Sequence, residues 1–110
     1  MSKSMTTTIV LVRRDMSPSQ QLVQACHAVQ CLRGERITRM VILNVNDEKH
    51  LQEATEQIVK EYAYRRDVVF ENQMYYEAPI SEYTASAIVV PEGLWLSRVT
   101  RNYDLALRGV

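Results

Sequence analysis

The most constraining feature of this sequence is an apolar, β-branched run that leads directly into a strongly marked helix start. The run from Thr8 to Val12 reads TIVLV, and such a run is typical of a strand buried on both faces of a sheet. The segment SPSQ, from Ser17 to Gln20, follows after a short charged stretch. Ser17 suits an N-cap, the proline suits the first helical position, and Gln20 completes an S-x-x-Q capping box. We therefore expect a buried strand followed at once by a helix.

Strand and helix patterns alternate along the rest of the chain. Further strands are predicted over Ile37–Val45, Asp67–Phe70 and Tyr83–Val90, where the chain is β-branched and apolar. The segment 71–81 is predicted to be irregular, because Pro79 disfavours a central strand.

Two more helices are predicted. The second helix has Asn46 or Asp47 as its cap, and the third spans Leu94–Leu107. One face of the second helix is marked by side chains at helical spacing, namely Leu51, Ala54, Thr55, Ile58 and Tyr62. The resulting order is β-α-β-α-β-β-α.

This order predicts an α/β fold. Strands separated by a helix pair in parallel through right-handed crossovers, whereas the last two strands, joined without a helix, are expected to pair antiparallel. The expected architecture is a mixed four-stranded sheet with helices packed on it, plus a C-terminal helix. A length of 110 residues suits a single domain. We divide it into a flexible N-terminus over 1–7, the α/β domain over 8–91 and a C-terminal helical extension over 92–110.

Composition narrows the functional classes. The formal net charge is 0, so no overall field attracts nucleic acid. No apolar run approaches the roughly 20 residues that span a bilayer, so no membrane partner is expected.

Cys26 and Cys31 lie five residues apart on one helix, which points their side chains in different directions and disfavours a disulfide. Free cysteines indicate a reducing compartment, and we expect the cytoplasm. Without a CxxC pair, neither a metal site nor a cofactor is predicted.

The first helix carries the residues that could perform chemistry. Because successive helix residues turn by about 100°, Gln20, Gln24, His27 and Cys31 share one stripe. The opposite face is predicted to pack on the core and consists of Leu22, Ala25, Val29 and Leu32. Asp15 ends the first strand, and ligands of open α/β sheets collect at such carboxyl ends. His27 could then move a proton while Asp15 orients it, but spacing alone favours a solvated helix face.

The segment IVLVRRDMSPSQQLVQACHAVQ resembles the opening of the peptidyl-tRNA hydrolase type 2 family. In that family a hydrophobic strand ends in Arg-x-Asp, and a helix with a Gln-x-x-His-Ala core follows. The matching residues here are Arg13, Asp15, Gln24, His27 and Ala28. The resemblance continues through MVILNVNDEKHLQEATEQI and, more weakly, through VVFENQMYYEAPISEYTASAIVVPE, so it spans roughly Thr8 to Pro91. It implies a compact α/β domain with a mixed four-stranded sheet.

The resemblance also implies an activity, the cleavage of the ester bond between peptide and tRNA. His27 and Asp15 would assist the attacking water, and Gln24 would position the 3′ end. The residues that the resemblance places at the substrate are Arg13, Gln20, Glu71 and Thr84. Gln20 stands where the family has an active-site Lys, and an amide cannot neutralise developing charge as an ammonium does. The family's Asp-Ala-Gly-x-Thr loop is not present, and the segment from Glu71 to Gln73 occupies its place.

Two other classes of function remain open at this stage. One is a catalytically silent module that holds an RNA end or a nucleotide in the same cleft, with tRNA or peptidyl-tRNA as the partner. The other is an oligomeric interaction protein, expected as a homodimer, that uses exposed aromatic side chains and the last helix. The tyrosines between Tyr62 and Tyr83 could stack on bases beside Arg65 and Arg66. The commoner explanation is half-buried packing within the domain or a subunit interface.

Overall fold

A computed structural model describes residues 5–34, 38–64 and 69–107 of the chain. The strands are β1 (Thr6–Arg13), β2 (Thr38–Val45), β3 (Glu71–Glu77) and β4 (Glu82–Pro91). The helices are α1 (Pro18–Gln30), α2 (Glu48–Tyr64) and α3 (Leu94–Thr100), and a short 3₁₀ helix spans Ala78–Ile80. The sheet order is β2-β1-β4-β3. Strand β1 is parallel to β2 and antiparallel to β4, and β3 is antiparallel to β4. The predicted mixed four-stranded α/β sheet is confirmed.

The sheet lies between two helical layers. Strand β1 is buried at every position, as expected for a central strand covered on both faces. Since side chains alternate along a strand, Ile9 and Leu11 face one layer while Val10 and Val12 face the other. The first layer contains α2 and α3, which add residues such as Leu51 and Val99 to the larger core. In the described part of the chain, the helix of the second layer is α1, and Ala106 also packs against this core.

Helix α2 has the cap and the buried face that the sequence predicts. Asp47 caps it, since its Oδ1 accepts the backbone N–H of His50 at 2.8 Å. The five residues predicted to share one face, Leu51, Ala54, Thr55, Ile58 and Tyr62, are all buried. No helix in the described ranges is long and apolar enough to cross a membrane.

The third strand lies elsewhere than predicted. It occupies 71–77, the segment expected to be irregular, rather than Asp67–Phe70, of which 67 and 68 lie outside the described residues. Strand β3 is at an edge of the sheet and is only half buried, so it needs no continuous apolar run. Pro79 stands just beyond it in the 3₁₀ helix and interrupts no sheet hydrogen bond.

Both ends of the chain also differ from expectation. Strand β1 begins at Thr6, two residues before the predicted start, and Thr6 and Thr7 are buried; residues 1–4 lie outside the described part. The last helix ends at Thr100 and not at Leu107. Beyond it, Leu105 forms an antiparallel bridge to Leu43, and two backbone hydrogen bonds of 2.8 and 2.9 Å flank that bridge. This segment supplies partners to the outer edge of β2.

Candidate functional site

The face that α1 turns toward the sheet matches the predicted one in part: Ala25 is buried, and Val29 and Leu32 pack against the same core. The buried residues of α1 are Gln21, Gln24, Ala25 and Ala28. Leu22, expected in the core, is 50% exposed, so that expectation is wrong. The two buried glutamines find partners there: Gln21 donates to Met16 O and accepts from Asn44 Nδ2, both at 2.8 Å. Hydrogen bonding of this kind is what makes a buried amide tolerable.

A β-bulge in β4 lies opposite this face. Tyr75 pairs with Ala85 and Tyr76 pairs with Tyr83, so Thr84 has no partner residue on β3. An extra residue of this kind changes which face the neighbouring side chains point to, and bulges are common beside active sites. Here the bulge turns Thr84 toward α1, where it meets Gln24.

Hydrogen bonds link Thr84, Gln24 and Glu77 at this bulge, and beside them His27, three residues further along α1, packs on Tyr75. We call these five side chains the Gln24 cluster. Thr84 Oγ1 donates to Gln24 Oε1 at 2.7 Å, and Gln24 Nε2 donates to Glu77 Oε2 at 2.9 Å. The ring of His27 lies 4.7 Å from that of Tyr75, centroid to centroid. Gln24 and His27, three residues apart on α1, thus contact Glu77 and Tyr75 respectively. Glu77 and Tyr75 are two residues apart on β3 and therefore lie on the same face of that strand.

The chemistry of Glu77 determines how the Gln24 amide is oriented. An ionised carboxylate only accepts hydrogen bonds, so the amide nitrogen faces Glu77 and the amide oxygen faces Thr84. Thr84 is fully buried, Gln24 is 8% exposed, and the other three residues are half-buried. The cluster therefore has a dry, hydrogen-bonded floor and a rim that solvent reaches. Within the described residues, Gln24 Nε2 donates to Glu77 alone, so its second N–H is available to a ligand.

His27 has an unusual position in this cluster. Its Nδ1 is buried and has no hydrogen-bond partner in the described part of the chain. Leaving a buried polar atom unsatisfied costs about 1–3 kcal/mol, and each such atom in a native structure calls for an explanation. A functional role for the imidazole is one such explanation.

Asp15 and Arg13 form a separate ion pair. Arg13 donates to both carboxylate oxygens of Asp15, at 2.9 and 2.7 Å, and also to Glu82 Oε1 at 2.9 Å. The guanidinium holds the pKa of Asp15 below its usual range, and the two carboxylates raise the pKa of Arg13. Within the described residues, no hydrogen bond or ion pair joins Asp15 to His27. The structure thus leaves the predicted Asp15–His27 contact unmade, and a phosphate could reach Arg13 only by displacing a carboxylate.

Gln20 and Glu71, both predicted to contact the substrate, form hydrogen bonds within the protein instead. Gln20 forms the predicted capping box: its Oε1 accepts the Ser17 N–H at 3.1 Å, and its own N–H donates to Ser17 Oγ at 3.3 Å. Glu71 accepts the backbone N–H groups of Arg33 and Gly34 at 2.8 and 2.9 Å, which fastens the chain after α1 to β3. Of the predicted site residues, the structure joins Gln24 and Thr84 by a hydrogen bond and places His27 three residues from Gln24 on α1.

Sequence reasoning missed Glu77, and it considered Tyr75 only as one of several tyrosines that could stack on bases or pack, not as a neighbour of His27. Both lie in the segment predicted to be irregular. Their spacing of two residues is the signal that could have placed them on one face of a strand. In the described part of the chain, no three His, Cys, Asp or Glu side chains are grouped as metal ligands would be.

The fold and the site together define an α/β domain with a buried polar cluster beneath a bulge in its mixed sheet. No protein-family model matches the sequence, and no curated protein matches it. A solved structure from Agrobacterium tumefaciens strain C58, described as a protein of unknown function, is similar with a TM-score of 0.51 and 15% identity. The match covers 91% of this chain and 96% of that chain. At this identity, the likeness shows the fold alone.

Proposed function

We propose that this domain hydrolyses the ester bond that joins an acyl or peptidyl group to the 3′ end of tRNA. The resemblance to the peptidyl-tRNA hydrolase type 2 family implies this activity. The observation that carries the proposal is the hydrogen bond between Gln24 and Thr84, which are 60 residues apart in the chain. Two residues that the resemblance assigns to the site are thus in contact, and a third, His27, lies three residues from Gln24 on α1.

The proposed reaction needs a base and a polarising group. A water molecule attacks the acyl carbon, the bond from that carbon to the ribose oxygen breaks, and the ribose oxygen takes a proton. The imidazole of His27 would accept the proton of the water and return it to the leaving oxygen. The free N–H of Gln24 would donate to the carbonyl oxygen as negative charge develops there. Thr84 and Glu77 hold that amide in place, so no reorientation is needed during the reaction.

A second candidate is a catalytically silent module that holds an RNA 3′ end or a nucleotide in the same place. Two observations favour it. Asp15 is held by Arg13 and does not orient His27, and Gln20 offers no cation where the family has Lys. Under this alternative, the Gln24 cluster would still supply hydrogen bonds and an aromatic face, but turnover would be absent.

The cellular location and the oligomeric state of the protein are also proposals. We propose a cytoplasmic location, which the two free cysteines support because thiols persist in reducing compartments. We also propose a homodimer, for which exposed aromatic side chains such as Tyr76, 48% exposed, offer contact area.

The decisive experiment measures the release of N-acetyl-phenylalanine from acylated tRNA. We expect His27→Ala to lower kcat by at least about 10², the usual contribution of a positioned acid–base group. His50→Ala is the matched control, because His50 lies at the start of α2 and its Nδ1 accepts the Asn46 N–H. Equal background release by all three proteins would end the hydrolase proposal. In that case, tRNA binding that weakens steeply with salt would support the silent module, and flat, weak binding would contradict both.

A further inference from the structure

The outer edge of β3 carries backbone groups that face away from the sheet. Within the described ranges, β3 ends the strand order β2-β1-β4-β3, so it has a neighbouring strand on one side only. Ala87 O accepts the Asn72 side chain at 3.0 Å, so this oxygen points from β4 toward β3. Ala87 pairs with Gln73, whose backbone N–H and C=O therefore face β4. The backbone groups of the adjacent residues, Asn72 and Met74, face outward because these directions alternate along a strand.

An edge of this kind is a template for an added strand. Its outward N–H and C=O groups can pair with an extended peptide, whatever side chains that peptide carries. Proline and charged side chains are the usual protection of an edge strand. Between its terminal residues, Glu71 and Glu77, strand β3 has neither. The outer edge is therefore open to pairing.

A second copy of this chain is a poor partner for the whole edge. Two copies of β3 paired antiparallel in the register centred on Met74 would match all seven residues of the strand. That register places Glu71 of each copy opposite Glu77 of the other. Like charges directly opposite one another destabilise a strand pair. An uncharged peptide backbone avoids this repulsion.

The Gln24 cluster indicates which peptide the edge would bind. Glu77 is the last residue of β3, and its Oε2 accepts Gln24 Nε2 at 2.9 Å. Under the proposed function, Gln24 also holds the ester carbonyl, which is the C-terminal end of the peptidyl group. An added strand lies about 4.8 Å from its neighbour and advances about 3.3 Å per residue. One or two residues thus carry the peptidyl chain from Gln24 to the edge, where it runs parallel to β3 past Met74 and Asn72.

We infer that the outer edge of β3 binds the peptidyl group of the substrate as an added, parallel strand. The inference rests on the proposed function, since Gln24 must hold the ester carbonyl. All peptidyl groups share their backbone, so pairing through it gives affinity without selecting a sequence. We expect a peptidyl group of four residues to bind about tenfold more tightly than a single acylated residue. The hydrogen bonds gained then exceed the cost of ordering the chain.

The test measures the binding of two uncleavable analogues by calorimetry. Both carry phenylalanine in amide linkage on 3′-amino-3′-deoxyadenosine. One has an acetyl group on the phenylalanine nitrogen, and the other has three alanines between the acetyl group and the phenylalanine. Alanine adds little side-chain surface, so a gain reports on the backbone. Wild type should bind the longer analogue about tenfold more tightly.

Methylation of one alanine nitrogen at a time tests the strand pairing itself. Alternate residues of an added strand direct their N–H groups to its neighbour. The gain should therefore be lost either at the middle alanine alone or at the two outer alanines alone. The unaffected positions control for the other effects of an N-methyl group.

Asn72→Pro and Asn72→Ala form a matched pair on the protein side. Both lose the side-chain hydrogen bonds to β4, but only proline removes the outward N–H, and an edge strand tolerates proline at such a position. Asn72→Pro should reduce the gain to within about threefold, and Asn72→Ala should keep it. The methylation series uses wild type and decides the question even if Asn72→Pro does not fold.

The outcomes separate this inference from the proposed function. Failure to bind either analogue, equal binding of both, a methylation effect that does not alternate or a full gain in Asn72→Pro would each overturn the inference. Ester release without the length dependence overturns this inference alone. An alternating methylation effect without ester release overturns the hydrolase proposal and leaves the inference standing.

Discussion

The hydrogen bond from Thr84 to Gln24 can be tested by one near-isosteric change. Thr84→Val keeps the β-branched shape and removes the hydroxyl. Thr84 is 0% and Gln24 8% exposed, so water cannot replace the lost donor. A buried acceptor left unsatisfied costs about 1–3 kcal/mol. We expect the free energy of unfolding to fall by about 2 kcal/mol and, in a domain of this size, Tm to fall by roughly 10 °C.

Urea denaturation of a double-mutant cycle separates this hydrogen bond from other effects. The four proteins are wild type, Thr84→Val, Gln24→Met and the double variant, and Met keeps the length of the glutamine side chain. We expect a coupling free energy of about 1 kcal/mol or more between the two positions. Thr84→Ser retains the donor and should retain most of the coupling with Gln24→Met. A coupling below about 0.3 kcal/mol would mean that the hydrogen bond is not formed in solution and would refute the account of the cluster floor.

Two further changes test the start of α1 and the ion pair beside it. Ser17→Ala should lower the free energy of unfolding by about 1 kcal/mol, because Ser17 Oγ accepts the Gln20 N–H. Ser17→Asp, which keeps an acceptor, should recover that loss, and equal stability of all three proteins would argue against the cap. Arg13 holds the pKa of Asp15 below its ordinary value of 3.8, so the ionised side chain stabilises the fold above that pH and ceases to do so as pH falls through the lowered pKa. The stability difference between wild type and Asp15→Asn, measured in urea, should therefore shrink below about pH 4, and a difference that stays constant from pH 7 to pH 2 would contradict the pairing.

The features that could be predicted from the sequence are those formed by residues close together in the chain. The capping box closes within the four residues from Ser17 to Gln20. Helix α2 buries the face that the spacing of its apolar residues indicates, because that face is the widest apolar stripe on the helix. The parallel pairing of β1 with β2 follows from the helix between them.

The third strand could not be placed by the same reasoning. Its residues ENQMYYE have no apolar run, and the helix and turn patterns around them offer no boundary. An edge strand is stabilised by backbone hydrogen bonds to one neighbour, here β4. Backbone hydrogen bonds do not depend on which side chains the strand carries, so the local composition does not indicate them. Glu77 was missed with it, and the neighbours of Tyr75 could not be predicted.

The contacts of single side chains in the Gln24 cluster could not be predicted from the sequence either. Periodicity places Gln24 and His27 on one stripe of α1, and the family resemblance adds Thr84. Which stripe faces the sheet depends on hydrogen-bond partners 53 and 60 residues away, Glu77 and Thr84. A helix can rotate about its axis without changing its local pattern, so only the tertiary contacts select the rotation that buries Gln24. The sequence thus determines that α1 forms and where it begins, and the packed sheet determines that Gln24 of its polar stripe is buried.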